Sequence, residues 1–309
     1  MSMENIVIIG SGAAGLTAAI YASRADLNPK LIAGSLPGGL LTQTSDVENF
    51  PGFPEAVNGY ELMYKLQQQA EKFGTAIINE TVVKVELKEG GPHKIFLNSG
   101  NVMEAKALII ATGASPRWLG LESEERLKNK GVSACATCDG AFFRNVPVAV
   151  TGGGDSAMEE ALFLTNFASS VTLIHRRGEF RASKIMADRV LAHPKIKVMW
   201  NSVIKEILGK DEVEGVLVEN VNDKTTSTVE CKGYFAALGH IPNTAIFKDS
   251  IELNETGYIK LADRSSRTSL EGVFAAGDCA DHVYRQAITA AGMGCMAAID
   301  AERWLAARH

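Results

Sequence analysis

Ile6-Val7-Ile8-Ile9-Gly10-Ser11-Gly12-Ala13-Ala14-Gly15 joins four consecutive apolar residues to a glycine-punctuated turn. An unbroken apolar run fits a parallel strand buried on both faces, because a half-exposed strand alternates apolar with polar residues. Leu16 to Ala25 is rich in helix formers, and Leu31 and Ile32 end a second strand. Strand, glycine turn, helix and strand over residues 5–34 spell a dinucleotide-binding βαβ unit. Gly10 permits the tight turn, Gly12 lets backbone approach a pyrophosphate, and Gly15 lets helix and strand pack closely. The helix N-terminus offers free N–H groups and the positive end of its dipole to phosphate oxygens.

The same grammar returns 142 residues later, from Gly10 to Gly152. Val148-Ala149-Val150-Thr151 runs into Gly152-Gly153-Gly154-Asp155-Ser156-Ala157, then a helical stretch through Asn166 and a strand from Val171 to Ile174. A second echo supports the repeat. Ala107-Leu108-Ile109-Ile110-Ala111-Thr112-Gly113 is followed by Pro116, and Tyr234-Phe235-Ala236-Ala237-Leu238-Gly239 by Pro242. The expected fold class is α/β with two Rossmann-like dinucleotide-binding domains.

The two strand ends differ. A site for NAD usually carries an acid at the end of its second strand to hold a ribose hydroxyl. In the second unit that place holds His175-Arg176-Arg177, with Arg181 one turn on. Guanidinium groups suit a doubly charged 2′-phosphate through bidentate, charge-assisted hydrogen bonds, so the second unit is expected to bind NADPH. The competing reading is a solvated basic strand end. In the first unit the strand ends Leu31-Ile32-Ala33-Gly34 with no acid, so another segment must hold the ribose.

The chain has 309 residues, enough for two domains of ordinary size, and its net charge of -5 argues against broad binding to nucleic acid or acidic membranes. No apolar run reaches the roughly 18 residues of a membrane helix. Glu4 and Asn5 lead straight into the first strand, unlike a signal peptide, so a cytoplasmic protein is expected. Five cysteines are an odd count, poor material for a secreted disulfide framework. Cys135 and Cys138 form a C-x-x-C pair, whereas Cys231, Cys279 and Cys295 stand apart and are expected to pack in cores.

Gly272-Val273-Phe274-Ala275-Ala276 is a short apolar strand ending in Gly277-Asp278. An acid there suits a ribityl hydroxyl, or simply caps a helix. The run resembles the second FAD fingerprint of flavoprotein reductases with two dinucleotide domains. Further motifs narrow the likeness: Gly38-Gly39-Leu40-Leu41, Val47-Glu48-Asn49-Phe50-Pro51-Gly52, Ala111-Thr112-Gly113-Ala114, Arg285-Gln286-Ala287 and Cys135-Ala136-Thr137-Cys138-Asp139-Gly140. In order and spacing, across nearly the whole chain, these resemble the low-molecular-weight bacterial type of thioredoxin reductase.

That resemblance implies an NADPH domain, residues 115–243, inserted into an FAD domain formed by residues 1–114 and 244–309. It implies FAD contacts along Gly10, Ser11, Gly12, Ala13, Ala14 and Gly15, and at Gly34, Gly38, Gly39, Leu40, Leu41, Thr44 and Asn49. Val83, Ala111, Thr112, Gly113, Gly277 and Asp278 complete that set, with Arg285, Gln286 and Ala287 against the flavin ring. NADPH contacts are implied at Gly152, Gly154, Asp155, Ser156, His175, Arg176, Arg177 and Arg181. The family usually has Gln where this chain has Leu40, so that polar contact is missing or replaced.

A C-x-x-C pair admits three readings. Zinc needs four ligands, and no second C-x-x-C or H-x-x-H exists, so no metal is expected. A thioredoxin-fold active site needs its own small domain, yet the pair lies just upstream of the second glycine motif. A dithiol serving a flavin is the reading that fits. NADPH then reduces FAD, FAD reduces the disulfide, and the dithiol reduces thioredoxin through a mixed disulfide. The resemblance makes Cys138 the sulfur nearer the flavin and Cys135 the attacking one. It also makes Asp139 a proton shuttle, against the plain reading of a surface turn residue before Gly140. Gly292 to Ala307 reads as a helix packed on the FAD domain, with a homodimer contact as a second role. A reductase for another thioredoxin-like or peroxidase partner, and a flavin redox sensor, are the alternative functions. Because nicotinamide and dithiol share one domain, that domain is expected to rotate about Gly113–Pro116 and Gly239–Pro242.

Overall fold

The computed structural model describes residues 3–44 and 46–308. The chain divides into two compact units, Met1–Ser115 with Ile241–His309, and Pro116–His240.

The first unit is built on the strand Met3–Ile9. Its apolar run is buried on both faces: Ile6 and Ile8 enter one core, Val7 and Ile9 the other. Parallel strands stand in the order Ala76–Ile78, Lys30–Ile32, Met3–Ile9 and Val102–Ile110. Val102–Ile110 is long enough to serve two neighbours on its far side. Its first half pairs antiparallel with His93–Leu97, and its second half pairs parallel with Val273–Ala275. The spatial order of the five parallel strands is therefore third, second, first, fourth, fifth, as in a Rossmann domain.

Helix Ala13–Arg24 begins three residues earlier than the sequence predicts, directly after Gly12. It packs against the final helix, Ala287–Ala306, through small residues. A Cβ on Gly294 would lie 2.1 Å from the Ala14 carbonyl oxygen, so only glycine admits this approach. The final helix also starts earlier than predicted, because a capping box between Gln286 and Thr289 opens it.

The second unit has an all-parallel sheet in the order Val132–Ser133, Gly233–Ala236, Pro147–Thr151, Ser170–Ile174 and Ile196–Met199. Helix Asp155–Leu164 follows its glycine loop, ending short of the predicted Asn166. Lys195 takes up the carbonyls beyond that end, donating to Thr165 at 2.8 Å and Ala168 at 3.0 Å. A three-stranded antiparallel sheet, Ser202–Leu208, Gly215–Asn220 and Thr226–Glu230, completes the unit.

Each unit closes its own chain crossing. In the first, Asn243 N–H donates to the Gly113 carbonyl at 3.0 Å. In the second, Arg117 N–H donates to the Gly239 carbonyl at 2.9 Å. Among the described residues, no helix is long and apolar enough to cross a membrane.

Candidate active site

The first glycine loop separates residues fixed by packing from one that is not. Gly10 has φ +108°, and a Cβ there would meet the Ala111 carbonyl oxygen at 2.2 Å. A Cβ on Gly15 would lie 1.9 Å from the Gly10 carbonyl oxygen. A Cβ on Gly12 would meet nothing within 4 Å. The protein itself leaves that space open, as a loop must if a diphosphate is to approach its backbone.

Other predicted FAD residues gather around this loop. Ser11 Oγ donates to the Ala33 carbonyl at 2.8 Å and accepts from Gly38 N–H at 2.9 Å. Gly39 rides directly over Gly12, where a Cβ would sit 3.0 Å from the Gly12 Cα. Leu40, Leu41 and Gln43 continue as a 3-10 turn, with Thr44 N–H closing onto the Leu41 carbonyl and the Leu40 side chain exposed. Gly34 N–H donates to the Glu80 carbonyl at 3.0 Å. Gly277 abuts Ala14, and Asn49 Nδ2 donates to Gln286 Oε1 at 3.4 Å. Val83 is an exposed residue at the bulge of strand Val82–Glu86.

Burial pushes the Asp278 carboxyl up to about 6, Asp281 adds repulsion, and Arg285 opposes both. Asp281 itself was not singled out by sequence reasoning. It accepts backbone N–H bonds from Val283 and Tyr284 at 2.9 Å and from Arg285 at 3.1 Å. Those three bonds fold the turn that presents Arg285, at φ +48°, Gln286 and Ala287. A D-x-x-x-R spacing was the available signal.

In the second loop, Gly152 is forced by the Ala237 carbonyl oxygen, 2.4 Å from its would-be Cβ. Gly154, like Gly12, has nothing within 4 Å. Arg176, Arg177 and Arg181 are exposed beyond the strand Ser170–Ile174, and none joins a carboxylate in a salt bridge among the described residues. Free guanidinium groups next to an open glycine loop fit a 2′-phosphorylated dinucleotide. His175 is different. It is buried, its Nε2 donates to the Glu179 carbonyl at 2.9 Å, and its ring packs with Phe180 and Trp200. The structure therefore places His175 beneath the loop rather than beside the arginines at the surface. Burial holds its imidazole below the usual range.

Cys135 and Cys138 are disulfide-bonded, with Cα atoms 5.3 Å apart. Cys135 precedes the one-turn helix Ala136–Asp139, and its carbonyl accepts from Cys138 N–H at 3.2 Å and Asp139 N–H at 3.1 Å. Asp139 is no free surface residue. Ser133 Oγ donates to Asp139 Oδ2 at 2.5 Å and accepts from Cys135 N–H at 3.0 Å. Burial raises the Asp139 pKa, and the Ser133 bond partly opposes it. Sequence reasoning missed Ser133. Among the other cysteines, burial pushes the Cys231 thiol up to about 12 and the Cys279 thiol up to about 11, leaving both inert. Cys295 is only half-buried.

Two glycine-loop Rossmann units, one carrying a disulfide with a half-buried acid beside it, define a dinucleotide-dependent disulfide oxidoreductase. The pyridine nucleotide-disulphide oxidoreductase family matches residues 4–294, and the chain belongs to it. It is a flavoprotein whose cofactors are FAD and NADPH. Its relatives narrow the likeness. The thioredoxin reductase of Rickettsia felis is 53% identical over 303 residues, 97% of each chain. The structure of thioredoxin reductase from Giardia duodenalis is 44% identical with a TM-score of 0.95, covering 99% of this chain and 100% of that one. That of Streptococcus pyogenes is 42% identical with a TM-score of 0.93, covering 99% of both.

Proposed function

We propose that this chain is an NADPH-dependent thioredoxin-disulfide reductase, and the observation that carries the reading is the Cys135–Cys138 disulfide flanked by Asp139. The Pro116–His240 unit takes NADPH on its glycine loop and free arginines, and the other unit takes FAD around Gly12. Bound FAD supplies a two-electron carrier between nicotinamide and disulfide. Once reduced, the Cys135 thiolate attacks a sulfur of the thioredoxin disulfide and forms a mixed disulfide. Cys138 then attacks Cys135, re-forming the internal disulfide and releasing both thioredoxin sulfurs as thiols. In net, two electrons and two protons pass from the pair to the thioredoxin sulfurs, and Asp139 is placed to hold one of those protons in transit.

A cytoplasmic homodimer completes the proposal. One close cysteine pair among five suits a reducing compartment. The final helix leaves Ile288 and Met296 exposed while burying its small residues, which suits contact with a second copy.

The test is sustained NADPH oxidation with thioredoxin, followed by a thiol-reporting dye. Cys135→Ser and Cys138→Ser should each retain FAD and its reduction by NADPH while losing thioredoxin turnover. Wild-type turnover in either variant would refute the assignment. Neutralising Arg176 and Arg177 should weaken NADPH roughly ten- to a hundredfold, since a charge-assisted contact is worth about 1.5–3 kcal/mol, and affect NADH far less. Equal loss for both nucleotides would show that these arginines do not read the phosphate.

A further inference from the structure

Asp155 stands where an acid is chemically awkward. It is the first residue of helix Asp155–Leu164, directly after Gly154, at a helix N-terminus suited to anions. A free carboxylate there would repel a dinucleotide diphosphate. Its charge is instead engaged. Asp155 Oδ1 accepts from Ser183 N–H at 2.9 Å and from Ser183 Oγ at 2.8 Å. Those bonds hold its carboxyl below the usual range.

Ser183 contributes an independent observation. It occupies the N-cap position of helix Lys184–Ala192, yet its side chain makes no capping bond there. An N-cap serine ordinarily accepts from an amide of its own first turn. Here the hydroxyl is turned 28 residues back along the chain, to Asp155.

Two further ties run between the same segments. Arg181 N–H donates to the Gly153 carbonyl at 2.8 Å. The His175 ring lies so close under Gly153 that a Cβ would fall 2.1 Å from its Cε1. All three ties join the glycine loop, 152–156, to the segment 175–183 that carries the exposed arginines. The Asp155–Ser183 tie is the one nearest the end of that segment, just beyond Arg181.

We propose that Asp155 is a positioning residue for nicotinamide dinucleotide recognition, mooring the arginine segment to the glycine loop through Ser183 and so setting the preference for a 2′-phosphate. This rests on the reading that the second loop holds NADPH. The proposal reverses the sign that charge alone would give. Simple repulsion requires that removing the acid tighten the phosphorylated nucleotide, whereas mooring requires that removal weaken it. Asn at the same position separates the two, because its Oδ1 still accepts from Ser183 while the charge is gone.

The test is calorimetric binding of NADP+ and NAD+ to the FAD-loaded, full-length protein, with NADPH kinetics alongside. Asp155→Ala should weaken NADP+ about five- to tenfold, the effect of losing roughly one hydrogen-bonded anchor, and NAD+ by less than about twofold. Asp155→Asn should stay within about twofold of wild type, and Ser183→Ala should weaken NADP+ about two- to threefold. The KM for NADPH should rise with kcat little changed. Tighter NADP+ binding by Asp155→Ala, or equal loss of NADP+ and NAD+, would overturn the proposal. Loss in Asp155→Asn as large as in Asp155→Ala would overturn it too, since the acceptor would then not be what matters. Arg177→Ala serves as the separate check. If it weakens both nucleotides equally, the assignment of the arginines fails, whatever the Asp155 variants do.

Discussion

Ser133 bridges the two groups that the proposed exchange would use side by side. Its hydroxyl accepts from Cys135 N–H and donates to Asp139, so the residue that fixes the first cysteine also restrains the acid. Removing that bond leaves burial unopposed, and the Asp139 pKa must rise further. An acid that gives its proton in exchange loses activity as pH rises through its pKa. Ser133→Ala should therefore move the alkaline decline of kcat/KM for thioredoxin to higher pH. Asp139→Asn, which cannot ionise, should lower turnover about a hundredfold, the smaller end of what general acid catalysis contributes. An unshifted pH profile in Ser133→Ala would separate the serine from the acid. Asp139 stood out in the sequence only through the resemblance, by its place after Cys138. Ser133 did not, because its partner lies six residues away across a turn and no periodicity marks it. The Asp155–Ser183 pair was hidden for the same reason, across 28 residues.

Between the elements, close approach replaces side-chain bulk. The helices Ala13–Arg24 and Ala287–Ala306 touch through alanines and glycines, and two glycines of the final helix form a natural control. Gly294 faces the Ala14 backbone, whereas Gly292 is exposed with nothing within 4 Å of a Cβ. Gly294→Ala should destabilise the protein by about 1–3 kcal/mol through overpacking. Gly292→Ala, which shares the exposed face of Ile288 and Met296, should stabilise the single chain by roughly 0.5–1 kcal/mol through helix propensity. Thermal or denaturant unfolding of the two variants reads both, and opposite signs are required. The apolar runs and glycine turns made these elements readable, since both faces of Ile6–Ile9 and of Val148–Thr151 are buried. The helix starts were less readable. Residues 13 and 287 follow loop geometry set by Gly12 and by the Gln286–Thr289 box, which outweighs helix propensity.

At the scale of the whole molecule, the proposed function asks one unit to serve two partners. On that proposal nicotinamide and dithiol both belong to Pro116–His240, and thioredoxin must also reach the reduced pair. The proposed function therefore asks for a turn at the crossings, where Gly113 and Gly239 take φ +68° and +84° and a Cβ on either would meet nothing within 4 Å. A complete, verified crosslink holding the units in one arrangement should stop multiple turnover with NADPH and thioredoxin. Full turnover in that sample would exclude a required rotation.

The crossings also bear on how the chain is made. Leu108 pairs with Val273, so the first unit cannot finish its sheet until the second has been synthesised in between. Left as coil, an intervening stretch of that length would tax the pairing by on the order of 4 kcal/mol in loop-closure entropy. The Arg117–Gly239 bond brings the two ends of the insert together as it folds. On a ribosome the insert emerges whole before residue 273 does, and domains generally fold as units in order of emergence. The later segment thus condenses first and hands its host two ends already held side by side, so a discontinuous domain assembles almost as if it were continuous.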